Sequence, residues 1–508
     1  MFSFFPKLGN VTSMTQSSSA TAFQTEWDKL FIGGQWVEPA TAEVIEVHSP
    51  ATGALVGRVP LATQADVDAA CAAARTAFDE GPWPTMKPAE RAAILAREVK
   101  IMEERADELK FLLAAETGQP ASIVDMMQYG AAMSSFNYYA ASAVDKFSWS
   151  EIRDGIYGQT LVTREPIGVV AAVAAWNVPF FLAANKLGPA LLAGCTVVLK
   201  PAAETPLSVF AMAQAFAEAG LPEGVLSVVP GGPDTGRALI ANPEIDKFTF
   251  TGSSAVGKEI GKVAAERLKP CTLELGGKSA AIILEDADLD STLPMLIFSG
   301  LMNCGQACVG QTRILAPRSR YDEVVEKVSA GVAAMKVGLP DDPAAMIGPL
   351  ISEKQRDRVE GYIHKGVEEG ARIVTGGGRP EGLDSGWFVQ PTVFADVDNA
   401  MTIAQEEIFG PVLVVIPFDT EEDAIRIAND SVYGLAGSVF TTDFPKAVEI
   451  AKKIRTGTYA VNMYAFDPCA PFGGYKNSGV GRENGPEGIE AYVEPKSILL
   501  PFGYTPED

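Results

Sequence analysis

Five short apolar segments lie close together in the middle of the sequence: IGVVAAVAA at 167–175, CTVVL at 195–199, VLSVV at 225–229, KFTFT at 247–251 and CTLEL at 271–275. The residues between them have the composition and spacing of helices, near 181–193, over 207–219, after Asp234 and over 254–267. Strict alternation of strand and helix with short loops predicts an α/β fold with a parallel sheet covered on both faces. Such a sheet binds its ligands beyond the carboxyl ends of its strands.

Similar patterns extend to both sides of this segment. Upstream, we expect a helix from Thr63 and a longer one from Pro88 to the stop signal at 117–120. Downstream, a second α/β region runs from about Ser279 to Asn477, with strands expected at 280–284, 314–316, 372–374 and 412–416 and helices at 322–335 and 420–429. Residues 492–501 resemble a strand again. Residues 1–25 have the composition of a mobile tail, and Met14 is a plausible alternative start.

Composition excludes several classes of protein. The chain has 508 residues, 47% of them apolar and 21% charged, which is typical of a globular protein of about three domains. Its net charge of −23 disfavours nucleic acid as a partner. The most apolar stretch, 168–199, is interrupted by polar residues and prolines, so no membrane span is predicted.

Cysteine and histidine counts narrow the chemistry. Six cysteines in a chain of this length do not make a disulfide framework, and with no secretion signal they favour a cytoplasmic location. The two histidines, His48 and His364, argue against a multi-histidine metal site, so we expect no metal. With only these two candidates for a catalytic histidine, a hydrolase that depends on a histidine base is also disfavoured.

One loop follows a predicted strand and opens a helix, in the segment Phe248–Glu259. Backbone N–H groups at such a helix start favour an anion such as a pyrophosphate. The string from Gly252 to Lys258 nearly matches the phosphate loop of nucleotide triphosphatases, but Glu259 stands where a Mg²⁺-binding hydroxyl is needed. A triphosphatase is therefore disfavoured, and a plain strand-to-helix turn remains the simpler alternative.

Three further residues stand in positions suited to catalysis. Cys308 lies among glycines, and a thiolate there could act as a nucleophile if a helix terminus or a positive neighbour lowers its pKa. Glu274 ends an apolar strand, where burial would raise its pKa towards that of a general base. Asn177 could donate an amide hydrogen bond to a developing oxyanion. Taken singly, each could equally be a buried cysteine, a surface glutamate or a turn asparagine.

Together these motifs resemble the aldehyde dehydrogenase superfamily, over roughly residues 28–500. The matching motifs, in the family's order and spacing, are Trp176-Asn177-x-Pro179, Lys200-Pro201, Phe250-Thr-Gly252-Ser253-x-x-x-Gly257, Glu274-Leu-Gly-Gly-Lys278, Asn303-x-Gly-Gln-x-Cys308, Glu406-Glu407-Ile-Phe409-Gly-Pro411 and Pro471-Phe472-Gly-Gly-x-Lys476-x-Ser-Gly-x-Gly-Arg482-Glu483.

The resemblance implies three structural units. These are a Rossmann-like cofactor-binding domain over 26–146 and 167–276, a catalytic α/β domain over 277–488, and a small β arm for oligomerisation over 147–166 and 489–508. It also implies a homodimer or a homotetramer.

The implied reaction is oxidation of an aldehyde to a carboxylic acid. By resemblance, Cys308 attacks the aldehyde to form a thiohemiacetal, whose oxyanion is held by the Asn177 amide and the Cys308 N–H. Hydride leaves to NAD or NADP, and Glu274 activates the water that hydrolyses the thioester. Cys304 is expected to be structural, and Glu483 to support a proton path.

The resemblance also assigns the cofactor contacts. It places Lys200 at the adenosine ribose, Ser253 and Trp176 with Gly252 and Gly257 near the pyrophosphate, and Glu407 and Phe409 at the nicotinamide ribose. Members that prefer NAD often carry Glu three residues after this lysine. Here that residue is Ala203, followed by Glu204. Because a carboxylate would repel a 2′-phosphate, its absence predicts that NADP is accepted beside NAD.

The substrate is predicted from apolar residues that flank the motifs: Val178, Leu182, Met302, Ala307, Val309 and Phe466. They favour a medium or large apolar or aromatic aldehyde. Two alternatives on the same fold stay open, a member that transfers the acyl group to coenzyme A and a non-catalytic structural protein. Glu274 argues against the first, and the intact set of Cys308, Glu274 and Asn177 against the second.

Overall fold

The structure, a computed structural model, describes residues 23–504. The predicted mobile tail at 1–25 therefore lies outside the described residues, except for its last three. These three residues contact the rest of the chain. The Phe23 N–H donates to the Glu108 carboxylate at 3.1 Å, and the Thr25 carbonyl accepts a hydrogen bond from the Arg58 N–H at 2.9 Å.

An eight-stranded sheet forms the first layer. Its spatial order is Gly479–Val480, Cys271–Glu274, Lys247–Thr251, Val169–Val173, Thr196–Lys200, Leu226–Val228, Leu30–Ile32 and Gln35–Val37. The five predicted strands are parallel and lie side by side in the middle. Their residues are almost entirely buried because helices cover both faces, which explains the continuous apolar runs.

The helices that cover this sheet match the predicted ones to within a few residues. Several start or stop at a recognisable signal, such as Pro179 at the first turn and Gly194 with φ 97° at the end of one helix. The helices of this region are Gln64–Asp79, Pro88–Glu104, Ala106–Thr117, Pro179–Ala193, Leu207–Glu218, Pro233–Ala241 and Ser254–Glu266.

Between residues 88 and 146, the structure departs from prediction in two places. The helix expected to run unbroken from Pro88 to Thr117 is interrupted at Arg105, whose φ and ψ are −115° and 25°. Beyond Pro120 the chain is helical to Lys146, with wider turns at Val124–Gly130 and Tyr138–Ser142. No apolar period in this second stretch is strong enough to predict it.

A seven-stranded sheet forms the second α/β region. Its order is Arg372–Thr375, Thr392–Ala395, Val412–Phe418, Arg313–Pro317, Ala280–Ile283, Gly437–Phe440 and Ala460–Val461. Its strands are parallel except Arg372–Thr375. The main helices are Leu289–Leu301, Tyr321–Ala333, Glu353–Glu368, Glu421–Asn429 and Phe444–Lys453.

Two smaller sheets complete the fold. Ser150–Gly155, Gly158–Pro166 and Val493–Leu499 form an antiparallel three-stranded sheet, in the two segments predicted for the arm. Val44–His48 and Leu55–Pro60 form a hairpin. Gly479–Val480, within the segment predicted as the catalytic domain, pairs with Cys271–Glu274 at the edge of the first sheet. No helix within 23–504 is long and apolar enough to cross a membrane.

Candidate active site

A cavity of about 940 Å³ opens where the two α/β regions meet, beyond the carboxyl ends of the first sheet's strands. This is where a sheet of this topology is expected to bind ligands. Most of the sequence-predicted residues line it: Trp176, Asn177, Val178, Leu182, Gly252, Ser253, Glu274, Met302, Ala307, Cys308, Val309, Glu407, Phe409 and Phe466. Lys200 and Gly257 do not.

A left-handed turn sets the position of Cys308. Asn303, Cys304 and Gly305 have φ values of 53°, 59° and 71°, a conformation that costs energy for the two residues with side chains. A Cβ on Gly305 would overlap the carbonyl oxygen of Gly410, so glycine is required there. A Cβ on Gly277 would likewise overlap the carbonyl oxygen of Cys308. The loop therefore holds Cys308 against the strand-end glycines.

Two asparagines hold this turn to the first sheet. Asn303 Nδ2 donates to the Asn177 carbonyl at 2.8 Å, and Asn177 Nδ2 donates to the Gln306 carbonyl at 2.9 Å. The second N–H of the Asn177 amide has no partner among residues 23–504 and belongs to a side chain on the cavity wall. Asn177 is thus fixed in place with one donor left for a ligand.

The two cysteines of the motif differ in their surroundings. Cys304 is buried, donates to Gln119 Oε1 at 3.0 Å and accepts from the Gly348 N–H at 3.0 Å. Cys308 is half-buried on the cavity wall. Cys304 therefore stabilises the turn, while Cys308 is the thiol that a ligand can reach.

The charges that act on the pKa of Cys308 are negative, whereas the sequence predicts a helix terminus or a positive neighbour there. Burial raises the pKa of its thiol to about 12, and the carboxylates of Glu407 and Glu274 contribute to that rise. The thiol is therefore protonated at neutral pH, and a base must take its proton when it attacks. A positive neighbour does not supply the thiolate here.

Glu274 lies at the end of its strand with neither carboxylate oxygen hydrogen-bonded within the described chain. It is 3% exposed, and burial raises its pKa well above the usual range. The negative charge of Glu483 adds to the rise, while Lys186 and Arg482 oppose it. An unpaired buried carboxyl with a raised pKa is suited to exchange protons near neutral pH.

A buried ion pair lies behind Glu274. Lys186 Nζ is 2.8 Å from Glu483 Oε1, and both side chains are almost fully buried. Lys186 also donates to Thr251 Oγ1 at 2.8 Å. Sequence reasoning identified Glu483 but missed Lys186, although its place beside Asn185 in a helix that otherwise has no polar side chain, 179–193, was a visible signal.

One end of the cavity has the features of a nucleotide site. Ser253 caps the helix Ser254–Glu266, so the free N–H groups of that helix start face the cavity region. Trp176 and Phe409 meet edge to face at a centroid distance of 5.3 Å, and Phe409 holds the unusual φ of 62°. Two hydrogen bonds from Gln355 Nε2, to the carbonyls of Ile408 and Phe409, support that backbone.

Glu407 reaches across to the strand-end glycines. Its Oε1 accepts from the Gly277 N–H at 2.9 Å, and a Cβ on Gly276 would lie 2.5 Å from its Oε2. Burial raises the pKa of this carboxyl to about 7, while the Gly277 hydrogen bond and the charges of Arg358 and Lys278 lower it. Glu407 is thus a carboxyl whose charge is sensitive to a neighbouring ligand.

Two residues predicted at the nucleotide do not line this cavity. Lys200 is 7% exposed, and its Nζ donates to the carbonyl of Pro201 at 3.1 Å. Burial lowers its pKa to about 8. Gly257 lets its helix approach the sheet, because a Cβ there would overlap the Leu275 side chain. Glu204, one residue after the predicted position of a ribose-binding Glu, does line the cavity.

Apart from the nucleotide features, most of the residues that line the cavity are apolar, and we call this part of the cavity the substrate tunnel. Phe181 and Phe466 meet edge to face there at 4.6 Å. Sequence reasoning missed several of its wall residues: Met126, Met127, Phe181, Asn185, Met295, Phe298, Met463 and Tyr464. The spacing of Val178, Phe181, Leu182 and Asn185 on one helix face was a signal that could have found two of them.

No group of three His, Cys, Asp or Glu side chains is arranged to hold a metal ion anywhere in residues 23–504.

Comparisons with known proteins show the family. A model described as the aldehyde dehydrogenase family matches residues 36–498. Geranial dehydrogenase of Castellaniella defragrans is 47% identical over 93% of this chain and 98% of its own. An aldehyde dehydrogenase of Mycobacterium tuberculosis, solved with NAD⁺, is 70% identical with a TM-score of 0.94, covering 95% of this chain and 99% of its own. A mutant of an aldehyde dehydrogenase of Pseudomonas syringae, solved with NAD⁺ and octanal, is 39% identical with a TM-score of 0.91, covering 96% and 99%.

Proposed function

The chain belongs to the aldehyde dehydrogenase family, and from that premise we propose that it oxidises medium or large apolar aldehydes with Cys308 as its nucleophile. It is an NAD(P)-dependent oxidoreductase that converts an aldehyde to a carboxylic acid. One observation carries the proposal for the substrate. The Cys308 thiol shares a single cavity with a tunnel of apolar side chains, and this cavity also contains the features of a nucleotide site.

In the first proposed step, the Cys308 sulfur bonds to the aldehyde carbon and the carbonyl π electrons move to oxygen. The thiol proton leaves to water, so this step does not depend on Glu274. The free N–H of the Asn177 amide and the Cys308 backbone N–H stabilise the oxyanion. Such donors act best where they are fixed in advance, as the Gln306 contact fixes Asn177.

In the second proposed step, Cys308 is left as a thioester, and Glu274 takes a proton from the water that attacks it. NAD supplies, when bound, the group that accepts the hydride released between these steps. Lys186 and Glu483 hold opposite charges behind Glu274 and so set how readily it changes protonation state. Glu274 then gives the proton taken from water to the departing Cys308 sulfur, so release of the acid restores both the thiol and the Glu274 carboxylate.

The cavity's polar end fits NAD, the cofactor of the solved neighbours. The helix that starts after Ser253 offers N–H groups to a pyrophosphate. A second helix, Pro233–Ala241, begins after Gly232, at which an added Cβ would meet nothing within 4 Å, so there is open space above it. We assign Glu407 and Phe409 to the nicotinamide ribose, Trp176, Ser253 and Gly252 to the pyrophosphate side and Lys200 to the adenosine ribose.

We propose that NADP is accepted beside NAD. Ala203 supplies no carboxylate at the position where NAD-preferring members often have one. Glu204 does line the cavity, one residue later, and its charge lies close enough to Lys200 to act on the pKa of that lysine. NADP is therefore expected to be used less well than NAD, because Glu204 repels a 2′-phosphate without occupying the usual position.

The tunnel supports the proposed substrate class. Its predicted wall residues Val178, Leu182 and Met302 are buried and apolar. No lysine or arginine side chain stands among the tunnel residues named above to bind a substrate carboxylate, and Arg313 donates all its hydrogen bonds within the second region. Short carboxylated semialdehydes are thus poor candidates.

We propose a homodimer or homotetramer joined through the three-stranded sheet. That sheet and its flanks expose large apolar side chains, among them Ile156 at 93%, Leu499 at 72% and Phe502 at 83%. Exposed apolar groups on an edge of this kind are typical of contact surfaces. A cytoplasmic location remains our proposal, supported by six free cysteines.

The test is nicotinamide reduction by the purified protein, followed by the absorbance of the reduced cofactor with NAD and NADP in turn. Octanal and benzaldehyde represent the apolar class, and succinic semialdehyde represents the carboxylated class. We expect turnover of the apolar aldehydes to exceed that of the semialdehyde by at least about tenfold in kcat/KM. Faster oxidation of the semialdehyde would contradict the proposed substrate class while leaving the reaction class intact.

A further inference from the structure

One polar side chain interrupts the apolar wall of the substrate tunnel. Asn185 lies on the same face of the helix Pro179–Ala193 as Phe181 and Leu182, and all three line the cavity. It is 2% exposed, so it is enclosed by protein rather than placed at the rim. Neither the chemistry of Cys308 nor the nucleotide contacts use it.

The orientation of this amide is fixed by one hydrogen bond. Ser135 Oγ, on the helix Ala131–Asn137, donates to Asn185 Oδ1 at 2.8 Å. The carbonyl end of the amide is therefore occupied by protein. The nitrogen end, Nδ2, has no acceptor among residues 23–504, which leaves both of its N–H donors free at the cavity wall.

A buried amide with two unpaired N–H donors lowers the stability of the protein unless a ligand or a water molecule accepts a hydrogen bond from it. Its neighbours on the same helix face, Phe181 and Leu182, cannot accept a strong hydrogen bond. Any strong acceptor for Asn185 Nδ2 on this wall must therefore come from what enters the tunnel.

We infer that Asn185 selects aldehydes whose apolar chain carries a hydrogen-bond acceptor, such as a ketone oxygen, in addition to the aldehyde oxygen. This inference rests on the proposed function, because it assumes that the tunnel receives the substrate. Asn177, the proposed oxyanion donor, lies just before this helix, and Asn185 lies six residues beyond its first residue, Pro179, or about 9 Å along the helix axis. The acceptor is thus expected near the far end of a medium-length chain whose aldehyde carbon is at Cys308.

Water is the other possible occupant of this position. A water held by Asn185 would be displaced by any long aldehyde, and a plain alkyl chain would then leave the amide unpaired. A chain with an acceptor would replace the lost hydrogen bond. If the amide binds an acceptor on the substrate, the protein favours an oxygenated chain over a plain one. If it only binds water, the protein does not distinguish the two chains.

The experiment compares octanal with the analogue whose penultimate carbon is a ketone, in the complete protein with NAD. For the unmodified chain we expect kcat/KM to favour the oxo-aldehyde by about tenfold, the worth of one good hydrogen bond. In Asn185→Leu, a substitution of similar size, we expect that preference to disappear or reverse. Leu182→Met on the same helix face is the matched control, and it should change both substrates by the same factor.

A second variant separates selection from folding. Ser135→Ala keeps the Asn185 amide but removes the contact that orients it, so the preference should fall by a smaller factor, about threefold. Thermal unfolding of each variant shows whether the fold persists. Equal kcat/KM for the two substrates in the unmodified chain, or the same ratio in Asn185→Leu, would overturn the inference. Failure to oxidise octanal at all would instead count against the proposed function.

Discussion

The two ends of the cavity are built from different material. At the nucleotide end, backbone groups, glycines and charged side chains predominate, as in the Gly277 N–H bond to Glu407 and the helix start at Ser253. At the substrate end, the wall consists of large apolar side chains such as Phe181 and Phe466. Cys308 lies where the two ends meet.

This difference separates the part of the cavity that serves every substrate from the part that selects among substrates. Every substrate needs the same nucleotide, so that end depends on backbone geometry that few sequences can provide. The tunnel only has to exclude water and fit a chain, which many apolar sets can do. Changes at the junction of the two ends, around Cys308, should therefore affect all substrates alike. Changes at the nucleotide end should affect only the choice of cofactor, and changes in the tunnel only the choice of aldehyde.

The largest effect is expected at the junction itself. Cys308→Ala removes the nucleophile and should reduce turnover by about 10⁵-fold or more with every aldehyde and either cofactor. Cys304→Ala, its neighbour in the same turn, should keep most of the activity and lose stability, because it removes a buried contact to Gln119. Steady-state rates and thermal unfolding of both variants check this contrast. Similar losses in the two variants would remove the distinction between them.

Replacing the proposed base should produce the next largest loss. Glu274→Gln should slow acid release by about 10²–10⁴-fold and leave a burst of reduced nicotinamide, since the first half of the reaction can still occur. The sign of the pH dependence follows from the raised pKa of Glu274. The carboxyl must be ionised to accept a proton, so activity in the unmodified protein should rise with pH through that pKa. Stopped-flow kinetics across pH tests both, and a steady-state rate equal to that of the unmodified protein would exclude Glu274 from this role.

The oxyanion donor should matter somewhat less. Asn177→Ala removes the free amide N–H and the contact to the Gln306 carbonyl, and we expect kcat to fall by about 10²–10³-fold. Because the loss occurs at the junction, its size should be the same for octanal and benzaldehyde. A loss confined to one of the two aldehydes would place Asn177 in the tunnel wall instead.

Much of the junction and the nucleotide end could be predicted from the sequence. Parallel strands buried on both faces give continuous apolar runs, so segments such as Lys247–Thr251 were located to the residue. Their carboxyl ends meet at one edge, which brings Asn177 and Glu274 to one cavity with Cys308.

The tunnel could not be predicted to the same depth. Much of its wall comes from 124–134, where wide helical turns weaken the usual period of apolar residues. The acidic surroundings of Cys308 also depend on contacts across the chain, from Glu407 and Glu274, that no local pattern reveals. Selectivity for the substrate thus depends on packing that only the fold shows.

A smaller effect is expected at the nucleotide end. Glu204→Ala removes the carboxylate that lines the cavity beside Ala203, and it should raise kcat/KM with NADP relative to NAD by about tenfold. The relative rates with octanal and benzaldehyde should stay as they were. Initial rates with each cofactor measure this ratio. A ratio that does not move would mean that Glu204 does not face the 2′ position.

The smallest effect is expected in the tunnel wall. Phe466→Ala removes one ring of the pair with Phe181 and widens the tunnel. We expect kcat/KM to shift by a few-fold towards bulkier aldehydes, about the worth of one apolar contact, with the NAD-to-NADP ratio unchanged. A series of branched and straight aldehydes of equal carbon number provides the measurement, and a changed cofactor ratio would show that the two ends are not independent.

The central claim is that Cys308, at the meeting point of the two ends, becomes covalently acylated. The direct measurement is peptide mass spectrometry of Glu274→Gln after brief incubation with octanal and NAD. We predict that Cys308 carries an added octanoyl group, and that this modification does not form when NAD is left out. An octanoyl group on Cys304, or an unmodified Cys308 in a sample that has reduced NAD, would contradict the account.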